Sequence, residues 1–380
     1  MRIPFNNLLP RWLLALGMAS MVVMLASCGG GGNVRSTAWQ PQPGHRGGAV
    51  FPQQVVRDRM LAVSWSEVPG WQDDELVGVA SALRQDCTRM ERVPRWQRVC
   101  AAASSLDDFD SAGIRAFFEQ YFTPYRFANA NGTLNGLVTG YYEPLLNGSR
   151  TRHGVYQTAL YRWPSGYRAG ASLPSRAQLA RSGILNGNEI VWVDDPIDAF
   201  FLQVQGSGRV RLDDGSVLRV SFGGTNGQPY RSIGRWLIDH GEVTPAQATT
   251  QGIKAWARAN PGRVQALLET NPRFVFFRAT PGTDDASEEG PLGALGVPLT
   301  PERSIAVDPA SIALGTPVFL QTTRPGTSAI LARLVFAQDT GAAIKGGVRA
   351  DYFWGLGDAA GDLAGKMKQP GRMWLLLPKS

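Results

Sequence analysis

The sequence predicts a mainly β fold with accessory helices, divided into two domains. Three observations lead there. Gly (44) and Pro (25) are abundant and charge is moderate, which calls for many turns, not a helical bundle. Strand-like runs occur in two separate stretches, one after about residue 134 and one after Asn271, with helical patterns before and between them. At 380 residues and 43% hydrophobic side chains, the chain can bury a large core and fill two domains.

Residues 1–27 read as a signal peptide and not as part of the fold. Arg2 and Arg11 form its positive region, and Leu13 to Ala26 an apolar core too short for a comfortable membrane span. Small residues before Cys28, in Leu25-Ala26-Ser27-Cys28-Gly29, match a bacterial lipoprotein signal, with Cys28 acylated and the chain cleaved before it. An ordinary secretory signal with a chance cysteine is the alternative. Gly29, not Asp, follows the cysteine, which by resemblance to known lipoproteins favours the outer membrane. The expectation is a periplasmic body tethered to outer-membrane lipid through Cys28 and a Gly-rich segment, residues 28–44.

The net charge is +7, and nearer +5 once Arg2 and Arg11 leave with the signal. That suits an anionic partner without naming one. No dense Lys/Arg block interleaved with aromatics exists, so no nucleic-acid partner is expected. Cys87 and Cys100 remain, on two predicted helices joined by a turn containing Pro94. In an oxidising compartment they form either a disulfide or two buried thiols. With three scattered histidines (His45, His153, His240) no zinc pattern is present, and no metal or cofactor is expected.

Helical spacing of Leu76, Val79, Ala80 and Leu83 predicts a helix capped by Asp73. A second helix is expected over about Pro94–Ala103. A third begins near Asp110, with Ile114, Phe117, Phe118 and Tyr121 on one face. Gly136 to Pro144 reads as a strand broken at Gly140. Further strands are expected at Ile190–Val193, Ala199–Gln205, Arg209–Leu212 and Val217–Phe222, the last two joined by an Asp213-Asp214-Gly215 turn. Alternation in Phe201 to Gln205 puts Gln203 and Gln205 on one strand face. Helices follow at Tyr230–His240, from Thr244-Pro245, and after Asn260-Pro261. The C-terminal strands are Phe274–Arg278, Ser304–Val307, Pro317–Leu320, Leu331–Ala337 and Met373–Leu377, five that could close a small barrel. Thr283 to Gly290 reads as an exposed acidic loop.

Three aspartates in Gly-rich, apolar frames mark the last quarter of the chain: Asp308, Asp339 and Asp351. A carboxylate at the end of a buried strand is costly unless paired or used, so this segment is the place to look for chemistry.

At this point the residues resemble a known family. Val138 to Pro144, Asp198 to Gly208, Asn271 to Phe277, Gln338-Asp339-Thr340-Gly341 and Ala343-Ile344-Lys345-Gly346 are similar to the membrane-bound lytic murein transglycosylase A family, with its C-terminal three-aspartate domain. The motifs occur in the family's order over about Gly136 to Trp374. Ala342 departs from the glycine common there. The resemblance implies a double-psi β-barrel domain from both chain ends (45–137 and 272–380, catalytic segment 302–378) and an inserted β-barrel domain (138–271). Peptidoglycan glycan strands would lie in the groove between them. Cell-wall synthesis or division proteins would be further partners.

The implied reaction cleaves the MurNAc-β-1,4-GlcNAc bond without water, the muramyl C6 hydroxyl attacking its own C1 to give a 1,6-anhydro product. One carboxyl can serve as acid and then as base. The resemblance places that role on Asp351, which Tyr352, Phe353 and Trp354 could desolvate, raising its pKa. Asp339 would support it, and Asp308 would hold a turn or contact substrate. Thr139, Tyr141, Gln203, Gln205, Ser207 and Lys345 suit sugar hydroxyls, acetamides or carboxylates; each also suits an ordinary solvent face. Tyr141 or Trp354 could stack on a pyranose or belong to the core. Two rival readings stay open: a non-catalytic peptidoglycan-binding lipoprotein, and an inverting glycoside hydrolase using Asp351 and Asp339.

Overall fold

The computed structural model describes residues 59–284 and 289–379. Cys28, the signal peptide and the tether lie outside the described residues. The elements in chain order are β1 (Met60–Ala62), α1 (Val79–Met90), α2 (Gln97–Ala103), α3 (Ser111–Tyr121), β2 (Phe122–Phe127), β3 (Gly136–Glu143), β4 (Leu145–Ser149) and β5 (Thr158–Tyr161). Next come α4 (Arg176–Ser182), β6 (Glu189–Val193), α5 (Pro196–Gln205), β7 (Gly208–Leu212), β8 (Val217–Thr225), α6 (Ile233–Asp239), α7 (Thr250–Ala259), α8 (Val264–Glu269) and β9 (Val275–Asp284). The chain ends with β10 (Ser304–Val307), β11 (Pro317–Thr323), β12 (Ile330–Thr340), β13 (Arg349–Leu356), α9 (Gly357–Lys366) and β14 (Lys368–Pro378).

Two sheets carry the fold. The first has eight strands in the order β1-β2-β14-β11-β12-β10-β13-β3, and β14 also pairs with β3. That extra pairing closes six of the strands into a barrel, with parallel pairs β10–β12 and β13–β3. The second sheet has the order β5-β6-β4-β7-β8-β9 and is barrel-like, its end strands approaching each other. The mainly β class with accessory helices therefore holds.

Sheet membership corrects part of the expected layout. The predicted five-strand set included Phe274–Arg278, but that strand, β9, belongs to the second sheet. The barrel is completed instead by β13, a strand the sequence reading missed, and by β3 from far upstream. By sheet membership the chain passes from the first sheet to the second at Pro144 and back between β9 and β10. At the first crossing Glu143 and Arg209 form a buried ion pair (3.0 Å). Arg209 also donates to the Glu289 carbonyl, so the outgoing and returning segments share one anchor.

Apolar periodicity explains what covers the barrel. On β12, Leu334 and Phe336 face α1–α3, packing with Leu83, Ile114, Phe118 and Trp71, while Val335 and Ala337 fill the barrel interior with Ile305, Val307, Ala350 and Tyr352. The helices begin where local chemistry permits. Asp110 caps α3, accepting from Gly113 N, as expected. Asp73, in contrast, does not cap α1. That helix starts at Val79 after Gly78, in a left-handed conformation, and the buried carboxylate in the preceding turns is Asp74. The Thr244-Pro245 start is a short 3-10 turn, and the helix proper follows the Thr249 cap. Strand β3 runs unbroken through Gly140. Its glycine serves close approach: a Cβ there would lie 2.7 Å from Trp354 Nε1 and 2.9 Å from Ala364 Cα.

Cys87 and Cys100 are bonded, with their Cα atoms 5.3 Å apart, stapling α1 to α2. In the chain-entropy picture this loop is worth about 3 kcal/mol. Replacing both cysteines with Ala should lower the unfolding free energy by about that amount without changing turnover; urea unfolding measures it. An unchanged midpoint would show that the staple adds nothing to the packed helices.

Candidate active site

The register of the barrel strands builds the site. Ala306 of β10 is the direct partner of both Asp339 on β12 and Asp351 on β13. Asp351 in turn pairs with Thr139 on β3, and Thr139 with Lys368 on β14. Paired residues on neighbouring strands share a face, so Asp339, Ala306, Asp351, Thr139 and Lys368 form one row. The interior face belongs to their neighbours Val307, Ala350, Tyr352 and Val138, so the row lies on the outside of the barrel. The two aspartates are two strand spacings apart, roughly 10 Å between Cα atoms. Ala306 stands between them in the row, and the Tyr141 hydroxyl lies close enough to feel both charges.

Both residues are half-buried, with their carboxyl groups turned away from solvent. Burial pushes Asp351 above the usual carboxylate range, against a hydrogen bond from the Thr139 hydroxyl (2.5 Å) and the charge of Arg349. The Arg349 guanidinium does not swing to solvent. It donates to the carbonyls of Leu137 and Ala350, yet burial of Asp351 outweighs its pull. Burial pushes Asp339 up to about 6, and the charge of Asp351 adds to this. Asp339 accepts a hydrogen bond from Ala294 N (3.0 Å) on the segment returning from the second sheet.

Asp351 lies within a strand, not on a turn, so alternation sorts its aromatic neighbours. Tyr352 and Trp354 point into the barrel core, Tyr352 donating to the Glu302 carbonyl and Trp354 lying against Met367. Phe353 alone shares the face of Asp351, and Tyr141 of β3 sits beside it, ring centroids 5.2 Å apart. Among the described residues the buried Tyr141 hydroxyl has no hydrogen-bond partner of good geometry, though it lies near the Asp339 carboxylate. Burial first, then the charges of Asp339 and Asp351, raise its pKa well above normal. Tyr141 is thus a neutral donor beside the carboxylates, and Trp354 is core.

Other expected residues divide. Residues 199–205 are not a strand: they belong to helix α5. Two residues apart on a helix, Gln203 and Gln205 point to different sides. Gln203 is buried, its amide oxygen accepting from Arg176 (2.6 Å) and Val275 N (3.3 Å), which removes it from a groove wall. Gln205 Oε1 accepts from Tyr142 N (3.4 Å) of β3. Ser207 is half-buried between α5 and β7. Asp308 holds a turn: it accepts from Ala310 N (3.2 Å) and Gly346 N (2.8 Å), tying the end of β10 to the loop before β13. Lys345 is largely exposed, 3.9 Å from Asp308. Sequence reasoning missed Lys368, the exposed cation at the end of the row, and Ala294. Nothing local marks either; only strand register and chain return bring them there.

Proteins similar to this chain are lytic transglycosylases. The MltA specific insert domain family matches residues 137–278, and the 3D domain family matches residues 303–377. The chain is 72% identical to the lytic transglycosylase LtgG of Burkholderia pseudomallei, covering 88% of this chain and 99% of that one, with a TM-score of 0.68. It is 36% identical to MltA from Neisseria gonorrhoeae over 84% of this chain and 92% of that one, TM-score 0.75. It is 35% identical to the membrane-bound lytic murein transglycosylase A of Escherichia coli (strain K12), covering 66% of this chain and 68% of the relative. The chain belongs to the membrane-bound lytic murein transglycosylase A family.

Proposed function

We propose that this protein is a peptidoglycan lytic transglycosylase that uses Asp351 as acid and then as base. The observation that carries the reading is the row Asp339–Ala306–Asp351–Thr139, with Asp351 held by the Thr139 hydroxyl and its pKa raised by burial. A carboxyl with a raised pKa retains a proton to give. In the first step Asp351 protonates the departing glycosidic oxygen as the C1–O bond breaks. In the second, the muramyl O6 bonds to C1 and its proton passes to the Asp351 carboxylate. The acid is restored and no water is consumed. Because the nucleophile is tethered to the reacting sugar, no second carboxylate is needed to activate water.

Asp339 supports the positive charge developing at C1, and Thr139 fixes the Asp351 carboxylate. The neutral Tyr141 donates to a sugar hydroxyl or acetamide. We read the two sheets as the two domains, with the glycan between them; a relative from E. coli, 28% identical, is known with bound chitohexaose. The Cys28 lipoprotein signal, together with relatives described as membrane-bound, supports a lipid-anchored protein on the periplasmic face of the outer membrane. Cell-wall synthesis or division proteins remain the class of further partner.

The inverting-hydrolase reading has one observation in its favour: Asp351 and Asp339 stand two strands apart, a spacing of the order used by inverting carboxyl pairs. Mass analysis of products from purified sacculi separates the two. Transglycosylation should yield muropeptides without a reducing end, lighter by one water than hydrolysis products. Products with a reducing end would overturn the proposal, and intact sacculi would point to the binding-only reading.

A further inference from the structure

We infer that a buried polar tie from helix α1, Asp86 to Gln338, positions Asp339 by holding the β-bulge that turns its carboxylate out of the barrel. The inference rests on the proposed role of Asp339. It begins from the register of β10 and β12. Ser304 pairs with Phe336 and Ile305 with Ala337, but Ala306 pairs with Asp339. Gln338 is therefore the extra, unpaired residue of a bulge. Without it, strict alternation would aim Asp339 the same way as Ala337, which fills the barrel interior. With it, Asp339 faces outward with Ala306 and Asp351. One inserted residue separates a carboxylate facing Asp351 from one forced into an apolar core.

The bulge residue is held from both sides. Its side chain is fully buried. Its amide nitrogen donates to Asp86 Oδ1 (2.6 Å) and to the Ala82 carbonyl (3.4 Å), both on α1. Its amide oxygen accepts from the Ser304 hydroxyl, which in turn accepts from Thr300 N (2.7 Å). On the chain side, the Gln338 carbonyl accepts from Leu295 N (2.9 Å), and the next residue, Ala294, donates to Asp339 itself. Gly293 is close enough that a Cβ there would lie 2.5 Å from the Gln338 carbonyl oxygen. Asp86 is 0% exposed and Gln338 is its one hydrogen-bonded partner among the described residues, the other carboxyl oxygen having none. Burial pushes its carboxyl up to about 8, so it is neutral in most molecules at pH 7. A buried carboxyl so placed has no packing advantage over an apolar residue; what it supplies is an acceptor aimed at the bulge. The tie makes Asp86 and Gln338 positioning residues, acting through Asp339 without touching substrate.

The test uses the full chain with Asp86→Leu, Gln338→Leu and Asp86→Asn, read by crystal structure and by steady-state kinetics on sacculi per folded molecule. Asn keeps the acceptor for Gln338, so Asp86→Asn should retain the wild-type Asp339 position, kcat and pH–rate profile. The two Leu variants should displace the Asp339 carboxylate by about 1 Å or more and lower kcat by roughly 10–100-fold. KM should stay unchanged, and the limb of the pH–rate profile set by Asp339 should shift. If a Leu variant does not fold, Gly293→Ala disturbs the same bulge from its other side and should show the same kcat loss. An unmoved Asp339 with wild-type kcat in the Leu variants or in Gly293→Ala would overturn the inference. So would an Asp86→Asn variant as impaired as Asp86→Leu. A displaced carboxylate with wild-type kcat would uphold the tie and overturn instead the role given to Asp339.

Discussion

Asp351→Asn should reduce turnover on sacculi by about 10⁴-fold, at or beyond the upper end for loss of a general acid–base group. The amide keeps the shape and can still accept from the Thr139 hydroxyl, but it has no proton to give or take at either step. The protein should not be weakened. Burial raises the folded-state pKa of Asp351, so its contribution to stability is complete below its unfolded pKa and is lost as pH rises through the folded value. An uncharged amide at neutral pH removes that loss. The same variant should lower the pKa of Asp339, because the charge of Asp351 is among the causes raising it. Single-turnover release of anhydro products from sacculi and a thermal melt on the same sample check the first two, and an NMR titration of the Asp339 carboxyl checks the third. Release near the wild-type rate would end the acid-then-base assignment.

Asp74→Ala should have the largest effect on stability, about 3–5 kcal/mol. Asp74 is fully buried and meets Arg303, itself 2% exposed, through two bonds of 2.8 and 3.0 Å. It also accepts from Leu334 N (2.7 Å) and Leu76 N (3.2 Å), clamping the segment before α1 onto β12. Removing the carboxylate leaves Arg303 buried without its counter-ion and the Leu334 amide without its acceptor. Burial alone would raise the Asp74 pKa, but the bond to Arg303, its charge and the two amides hold it below the usual value. The stabilisation is therefore present above the unfolded pKa, near ~3.9, and is lost as pH falls through the lower folded value. Urea unfolding at neutral pH and again below pH 4 should show the gap between wild type and variant closing in acid. A gap under about 1 kcal/mol at neutral pH, the level of an exposed pair, would show that Arg303 finds another partner.

Much of this was legible because the signals are local. Asp110 before an apolar period capped α3, and Asp213-Asp214-Gly215 turned β7 into β8. Cys87 and Cys100, across a short Pro-containing turn, lay within bonding reach. The error at residues 199–205 was also local. Alternation from Phe201 to Gln205 imitated a strand, yet stronger stop and start signals flank it. Asp195 accepts from Ile197 N and Asp198 N, Pro196 occupies the first turn, and Gly206 closes the helix at φ +88°. Capping groups satisfy backbone that a five-residue alternation cannot, so they decided the matter. Placing Gln203 on a groove wall failed with it.

By itself the sequence determined which residue types could do chemistry and where along the chain they sit: three aspartates in apolar frames, Thr139 and Tyr141 in their own motif. It also carried the caps, turns and cysteine spacing, since these act over a few residues. Only the tertiary structure decided which of those residues meet. Asp351 and Thr139 are 212 residues apart and share a hydrogen bond because β13 and β3 pair in parallel. Asp339 faces Asp351 because one extra residue, Gln338, shifts its phase. Strand partner, register and bulge are properties of two segments together. Reading either segment alone leaves the direction of a carboxylate open, because a slip of one residue reverses it.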